Sequence, residues 1–551
     1  MAILSNFQNY FETSDIINLS IILIILYISR FYYNYFARNN PLPGPFPLPL
    51  IGNAHLFKRN EYGDWIVKQH QKYGSLFETY IFSHRIIYVS TLDMIEPMIN
   101  SSTLKTSKFR LRYEKLDNLE EFGTSGKGVV FNYDLKSWKY NKQFFIQSIT
   151  SHGFLRETVK ETNKLFKELE SCWNLIGKEG LTSDFTYWTH SFTSDLILFI
   201  TTGRKGYCME AKFNEYYKKF HQNLDKNGND DSHEEKIKKC LDLFHDIESL
   251  LAGYSYFVMF PSFVRNYFPI MKSKTKSILD CRDRVFNGIL QIINERREEI
   301  EQTPLGQPLR NDMLTSFITA NTSRDISDIR QVEEEFMRPM INDEIQVNLL
   351  EAITAGLDTM ANTIAFTVYY ICQYPEVKKR LYQELEDVFK DNPSRDINYD
   401  DLSNLKYVEA VIKEVARVRP TVSLVDRFND GGTVQIGGYS WPPFTHFNIN
   451  ILAINNSSKV WDEPDKFNPD RFLVSNEEQQ FQNHFLMFGA GLRSCPGRKM
   501  AMIKSKCFIA LTFRNYDIEL IDRNAPLKYF YSTINRPYDL FVKIVPRNFN
   551  K

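Results

Sequence analysis

The sequence predicts a mainly α-helical protein with small β-sheets, preceded by a single N-terminal membrane anchor. Three features carry that expectation. Apolar residues recur at helical spacing through most of residues 155–300, and residues 345–374 read as one long helix stopped by Pro375. Residues 76–90, LFETYIFSHRIIYVS, have the β-branched and aromatic content of a strand pair.

The anchor comes first. Residues 16–29, IINLSIILIILYIS, are uncharged and dense in Ile and Leu. A cleaved signal peptide is the rival reading. However, residues 1–15 hold Glu12 and Asp15 but no Lys or Arg, and RFYYNYF follows where a small-residue cleavage site belongs. Continued to Phe36, with Arg30 snorkelling to the interface, the helix reaches about 21 residues, enough to cross a bilayer. Arg30 and Arg38 lie on its C-terminal side, which leaves the main body in the cytosol by the positive-inside rule. Residues 1–38 are therefore expected to form an anchored N-terminal region. Residues 39–53 follow as a proline-rich hinge, a stiff connector that cannot be helix. From 54 to 551 no linker of comparable strength recurs, so the body reads as one domain.

Composition narrows the function classes. Lys and Arg (67) balance Asp and Glu (67), which gives no electrostatic reason to expect a nucleic-acid partner. The 43 Phe and 30 Tyr suit a core built around something apolar, although aromatics also fill ordinary cores. The seven cysteines are scattered, odd in number and without a C-x-x-C pair, against a disulfide framework or structural zinc. Residues 225–239 read as a solvated polar loop leading into a helix. The aromatic, proline-broken residues 251–270 read as a ligand entrance, a lipid contact or a loop packed over the core.

Within the long helix, Ala355-Gly356-Leu357-Asp358-Thr359 stands out. Gly in a helix interior costs about 1 kcal/mol relative to Ala and usually answers to the close approach of another group. Two readings stay open here. Asp358 and Thr359 supply a hydrogen-bonding pair where the ladder loosens, or Gly356 serves helix packing and Thr359 bonds back to its own helix. On a later helix, Glu414 and Arg417 share a face at i, i+3. That pair is weak evidence alone, since Glu335 and Arg338 repeat its form. Arg471, in FNPDRF, offers the second cation that a buried ion cluster needs to offset desolvation.

The stretch FGAGLRSCPGRKMA sets Cys495 among glycines and arginines. It is no dinucleotide fingerprint, because Ser494 stands where the third glycine belongs and no βαβ unit surrounds it. Pro496 suits the first turn of a helix continuing through GRKMAMIKSKCFIALTF. Cys495 is then expected at a helix N-terminus, where free N–H groups and the dipole lower a thiol's pKa. The glycines let backbone approach a flat partner, and Arg493 adds positive charge. Such a thiolate serves as a metal ligand or as a nucleophile. The second needs a catalytic histidine, of which His484 is nearest in sequence.

F-x-x-G-x-R-x-C-x-G is the haem-binding signature of the cytochrome P-450 family, and Phe488, Gly491, Arg493, Cys495 and Gly497 fill its fixed positions. AGLDT resembles that family's A-G-x-D/E-T helix pattern, Glu414 and Arg417 its E-x-x-R pair, and FNPDRF its F-x-P-x-R-F turn. The anchor and hinge resemble its microsomal eukaryotic members. The resemblance implies a cytochrome P-450 fold enclosing a buried haem b (iron protoporphyrin IX), with residues 54–551 as the haem-binding catalytic domain. It implies Cys495 as axial iron ligand, Asp358 and Thr359 as a catalytic proton relay, and Glu414, Arg417 and Arg471 as structural residues. Arg493 would meet a haem propionate. Trp138 and Lys142 stand where the family more often has Trp-x-x-x-Arg, and lysine brings charge without a bidentate fork. Arg427 resembles a further propionate partner, although Gly431-Gly432 blurs the register.

The activity so implied is a monooxygenase: one atom of O₂ enters an apolar organic substrate and the other becomes water. No flavin or nicotinamide site is recognisable, so electrons would come from NADPH-cytochrome P-450 reductase. Lys136, Lys139, Lys142, Lys499, Lys504 and Lys506 are candidates for its docking face, or are ordinary solvated lysines. The alternatives are a haem-thiolate isomerase or dehydratase acting on peroxides without O₂ or reductase, and a non-catalytic haem or ligand carrier. Residues 111–130, part of the stretch after Leu251 and the residues after Pro420 are expected to face substrate. The protein is expected in membrane as a single-pass chain, in the endoplasmic reticulum with its catalytic domain on the cytosolic side.

Overall fold

Glu351 and Asp358, too costly for the middle of a membrane span, lie instead on a helix surrounded by protein. The computed structural model describes residues 13–58, 61–99, 107–111, 120–178, 182–220, 231–260, 262–326, 337–473, 485–531 and 534–547. It opens with α1 (Thr13–Phe36), whose stretch Ile17–Phe36 is long and apolar enough to cross a membrane and is not buried within the protein. The proline-rich segment after it is extended and docked. Leu42 is buried, and the Glu78 carboxylate accepts hydrogen bonds from the Leu42 N–H (3.4 Å) and the Arg38 guanidinium (2.6 Å).

The body begins with α2 (Tyr62–Tyr73), the antiparallel hairpin β1 (Leu76–Ile81) and β2 (His84–Val89), and α3 (Leu92–Ile99). Then come α4 (Leu135–Thr150), α5 (His152–Lys178), β3 (Ser183–Asp184) and α6 (Phe185–Thr202). Side chains set two of these starts. Asp134 accepts from the Lys136 and Ser137 N–H groups, and Asp184 from that of Thr186. Next are α7 (Cys208–Phe220), α8 (Asp231–Met259), α9 (Ser262–Tyr267), α10 (Pro269–Gln302) and α11 (Met313–Thr319). The central helix α12 (Asn342–Gln373) ends, as its sequence predicts, before the proline that opens α13 (Pro375–Val388). The rest comprises α14 (Lys406–Val418), β4 (Leu424–Phe428), β5 (Val434–Ile436), β6 (Tyr439–Trp441), β7 (His446–Asn450), α15 (Ile451–Asn455), α16 (Arg498–Asn515), β8 (Tyr516–Leu520), β9 (Tyr529–Phe530), β10 (Arg536–Pro537) and β11 (Phe541–Pro546).

The sheets are small. One has the order β1-β2-β7-β4, with β2 and β7 parallel; another has the order β3-β11-β8; and β5-β6 and β9-β10 form two-stranded pairs. Helix α12 packs on α6, α10, α14 and α16, which bury its apolar residues on several sides. Residues 251–270 are not a loop. Helix α8 runs to Met259, and α9 and α10 follow. Phe257 is buried there, whereas Phe263, Tyr267, Phe268 and Ile270 are exposed. Of the polar insertion, residues 225–230 lie outside the described residues, and Asp231 onward forms α8.

Candidate functional site

A cavity of about 420 Å³ lies against α12. Much of its wall comes from α12 between Glu351 and Thr363, the segment 129–131 with Trp138 and Lys142 of α4, the segment 420–427, and the loop from Leu486 into α16, with α6 contributing Ile197, Ile200 and Thr201. Asp358, Thr359, Phe488, Arg493, Cys495, Gly497, Trp138, Lys142 and Arg427 all line it.

Around Gly356 the two readings of α12 meet. A Cβ on Gly356 would lie 2.6 Å from Ile197 Cδ1 of α6, so the glycine allows the two helices to close on each other. The helix is unbroken there, and Thr359 Oγ1 donates to the Ala355 carbonyl of its own helix at 2.6 Å. The same turn nevertheless presents Asp358 and Thr359 to the cavity.

The cysteine loop is a closed turn. Gly489 and Gly491 adopt φ of +66° and +70°, and a Cβ on Gly491 would sit 2.8 Å from the Ile99 carbonyl oxygen, so both positions favour glycine. The Cys495 N–H donates to the Phe488 carbonyl at 2.8 Å. The expected helix start needs correcting. Pro496 and Gly497 form a turn, Gly497 is the N-cap, and α16 starts at Arg498, so Cys495 precedes the first helical turn. Cys495 is exposed, whereas Cys172 is partly buried and the other five cysteines are buried.

Four cations line this space: Lys504, described below, and three others. Arg493 donates to the carbonyls of Arg110 (2.8 Å), Val129 (3.3 Å) and Asn132 (3.2 Å), and its guanidinium stacks 4.0 Å from the Trp138 ring centre. Lys142 donates to the Leu492 carbonyl at 2.7 Å, and burial together with the Arg493 charge pulls its amine down to about 8. Arg427 is 2% exposed and donates to the Asp426 carbonyl at 2.8 Å. A cavity with one exposed thiol and three clustered cations fits a flat metal macrocycle bearing two carboxylates. The residues present therefore suit haem.

Glu351 is a site residue that sequence reasoning passed over. It is 3% exposed, and its carboxylate accepts from the N–H groups of Val129 (2.5 Å), Val130 (2.9 Å) and Phe131 (3.2 Å). Burial pushes its pKa up to about 7 against the pull of those donors. The only sequence signal was an acid inside an apolar helix.

Other expected residues fall elsewhere. Glu414, Arg417 and Arg471 form a cluster outside the cavity wall: Arg417 grips Glu414 at 2.8 and 2.9 Å, and Arg471 reaches the same carboxylate at 3.2 Å. Lys504 and Lys506 are not a docking surface, because both are buried on α16. Lys506 bonds Glu409 at 2.7 Å, while burial pulls the Lys504 amine down to about 8. Lys136 and Lys499 are exposed. Of the segments expected to face substrate, Val129 and Val130, Leu251 alone from its stretch, and several residues from Pro420 onward line the cavity. Leu111 instead bridges Phe428, and residues 112–119 lie outside the described residues, as does His484.

The family model for cytochrome P450 matches residues 42–543. The chain belongs to the cytochrome P450 family. Among its relatives, tabersonine 3-oxygenase of Catharanthus roseus is 24% identical and aligned over 90% of this chain and 91% of its own length. Cytochrome P450 3A17 of Cavia porcellus is 23% identical over 96% of each chain. The crystal structure of the cytochrome P450DA heme domain superposes with a TM-score of 0.71 at 15% identity, covering 93% of this chain and 98% of that one. The cytochrome P450 fold expected from sequence is thus the fold found. As a member of that family this P450 is a haem-thiolate monooxygenase, taking electrons from a redox partner to oxidise a small molecule. Its apolar N-terminal helix is consistent with a membrane anchor.

Proposed function

We propose that this P450 would hold haem b in the cavity with Cys495 as the thiolate ligand of its iron, and that it oxidises an apolar substrate with electrons from NADPH-cytochrome P-450 reductase. The observation that carries the reading is the single exposed cysteine, opening into the same cavity that Asp358 and Thr359 line. Bound there, haem supplies the iron at which O₂ is reduced and one oxygen atom is delivered to the substrate.

The chain's own residues do the rest. Arg493, Arg427 and Lys142 would neutralise the propionates, with Trp138 stacked on Arg493 to hold the guanidinium in place. Val130, Leu424, Val425 and Ile534 offer an apolar wall that excludes water and orients an apolar substrate. Asp358 and Thr359 hold a proton and a hydroxyl at that wall for delivery into the cavity. Glu414, Arg417 and Arg471 fix the 467–472 turn against α14. Residues 1–38 anchor the chain in the endoplasmic reticulum membrane, 39–53 act as hinge, and 54–551 work on the cytosolic side.

The test is the CO spectrum of the reduced, full-length protein beside Cys495→Ala. A strongly red-shifted Soret band that the variant loses is the expected result. Haem with an unshifted band in folded wild-type protein would overturn Cys495 as ligand. Product formation that needs no reductase would overturn the electron-transfer part.

A further inference from the structure

Asp358 has a partner on the neighbouring helix. His190 of α6 places Nδ1 3.5 Å from Asp358 Oδ1, and its Nε2 lies 3.1 Å from Asn362 Oδ1, one turn further along α12. The three residues lie on α6 and α12, the most extensively packed pair of elements among the described residues. His190 does not line the cavity, yet its side chain keeps 15% exposure. It therefore meets Asp358 without itself lining the cavity.

One hydrogen bond and one close carboxylate restrict where a proton on the imidazole can be. With the amide oxygen of Asn362 toward Nε2, Nε2 must donate, and Nδ1 then turns a lone pair toward a carboxylate. Two acceptors face each other unless a proton lies between them. Turning the Asn362 amide over lets its Nδ2, otherwise buried without a partner, donate to Nε2. Nδ1–H then donates to Asp358. Either way, the satisfied arrangement holds a proton between Nδ1 and Oδ1.

The charges facing His190 come from two further elements and from the start of its own helix. Asp358 on α12 and Asp184 at the start of α6 favour its cation, while burial and Arg536 on β10 oppose it and leave its pKa below the usual value. An imidazole that is mostly neutral is equipped to pass a proton on.

We propose that His190 is a positioning residue that supplies Asp358 with the proton it passes into the cavity. This rests on the reading of Asp358 as a proton relay. The imidazole, neutral with its proton on Nε2, takes up a second proton from solvent as the imidazolium, its Nδ1 proton passes to Asp358 Oδ1, and Asp358 releases a proton into the cavity; no electrons move. The pair ends in its starting charge state.

The experiment uses the full-length, haem-loaded P450. In its diamagnetic reduced CO complex, ¹⁵N-histidine NMR identifies the His190 signal by its absence in His190→Gln. A proton on Nδ1 near pH 7, with a titration midpoint that falls in Asp358→Asn, supports the proposal. A neutral Nε2-H form that ignores Asp358→Asn overturns it, and this comparison stands even where His190→Gln fails to load haem. In parallel, reduced enzyme is mixed with O₂ in H₂O and D₂O across pH, and the reoxidation rate is recorded. The expected result is a solvent isotope effect in wild type, with loss of that effect and a rate lower by about tenfold or more in both variants. If Asp358→Asn slows reoxidation and a folded His190→Gln does not, the role of His190 is overturned while that of Asp358 stands. If neither variant changes the rate, the relay reading of Asp358 falls, and this proposal with it.

Discussion

Glu351 Oε2 accepts a 2.5 Å hydrogen bond from the backbone nitrogen of Val129, tying α12 to the segment that bears on Arg493 and Trp138. The Val129 carbonyl in turn accepts from Trp138 Nε1 (3.1 Å) and Arg493 Nη1 (3.3 Å). Glu351→Ala strands three N–H groups and is expected to cost at least about 2 kcal/mol in urea unfolding. Gly128→Ala is expected to be harmful too: φ is +71°, and its Cβ would meet Glu351 Oε2 at 2.5 Å.

The same carboxylate carries a pH signature. Its folded pKa, about 7, lies above the ordinary 4.5, so the folded state holds the proton longer. The penalty is absent below about 4.5, grows as pH rises and is complete above about 7, on the order of 3 kcal/mol. Wild type should therefore lose stability relative to Glu351→Gln between pH 5 and 7.5, measured by paired unfolding curves. A gap constant with pH would refute this.

Glu414 and Arg417 are both fully buried, and each depends on the other. Arg417 also donates to the Asn455 (3.0 Å) and Lys466 (3.2 Å) carbonyls, and the Asn468 N–H donates to Glu414 at 2.8 Å. Glu414→Ala leaves a buried guanidinium without its counter-ion, at about 3–5 kcal/mol. That is enough to abolish accumulation of CO-binding protein in cells. Arg471→Lys, which keeps a cation near the same carboxylate, should be milder in the same assay.

Removal of the apolar helix should free the body from membranes, provided the cut is placed with care. Tyr32 stacks on Phe46 at 5.4 Å and Tyr35 meets Tyr80 at 5.6 Å, so the C-terminal turns of α1 belong to the body's packing. A chain starting at Phe31 is expected in the soluble fraction with its CO spectrum intact. The full chain should stay with membranes through a high-salt wash.

Much of this was legible because the signals are local. The stop at Pro375, the hairpin at residues 76–90 and the apolar run to Phe36 each follow from residues adjacent in sequence. The start of α16 falls later than expected because Pro496 suits a tight turn as well as a first helical turn, and Gly497, two residues after Cys495, is the N-cap. Glu351 carries no local signal of its role, since its backbone donors lie 220 to 222 residues away. His190 had no motif around it and gains its interest only from the packing of α6 on α12. Lys504 and Lys506 were read as surface because lysine usually is; α16 is covered around its circumference from Ile503 to Arg514.

That misreading yields a prediction of opposite signs for two lysines on one helix. Lys504 is 1% exposed, and burial alone holds its pKa at about 8, below the ordinary 10.5. Below pH 8 it is charged both folded and unfolded, so its desolvation penalty is fully present. Between about 8 and 10.5 the folded state releases the proton first and the penalty fades. Lys504→Met should thus stabilise the protein at pH 7 by about 1–3 kcal/mol, an advantage that shrinks toward pH 10. Lys506 is 6% exposed but bonded to Glu409 at 2.7 Å, so Lys506→Met removes a compensated charge and should destabilise. Thermal unfolding of both variants at pH 7 and pH 10 decides the matter. If Lys504→Met destabilised as much as Lys506→Met, Lys504 would have to be compensated within the fold, and its burial would not be the liability argued here.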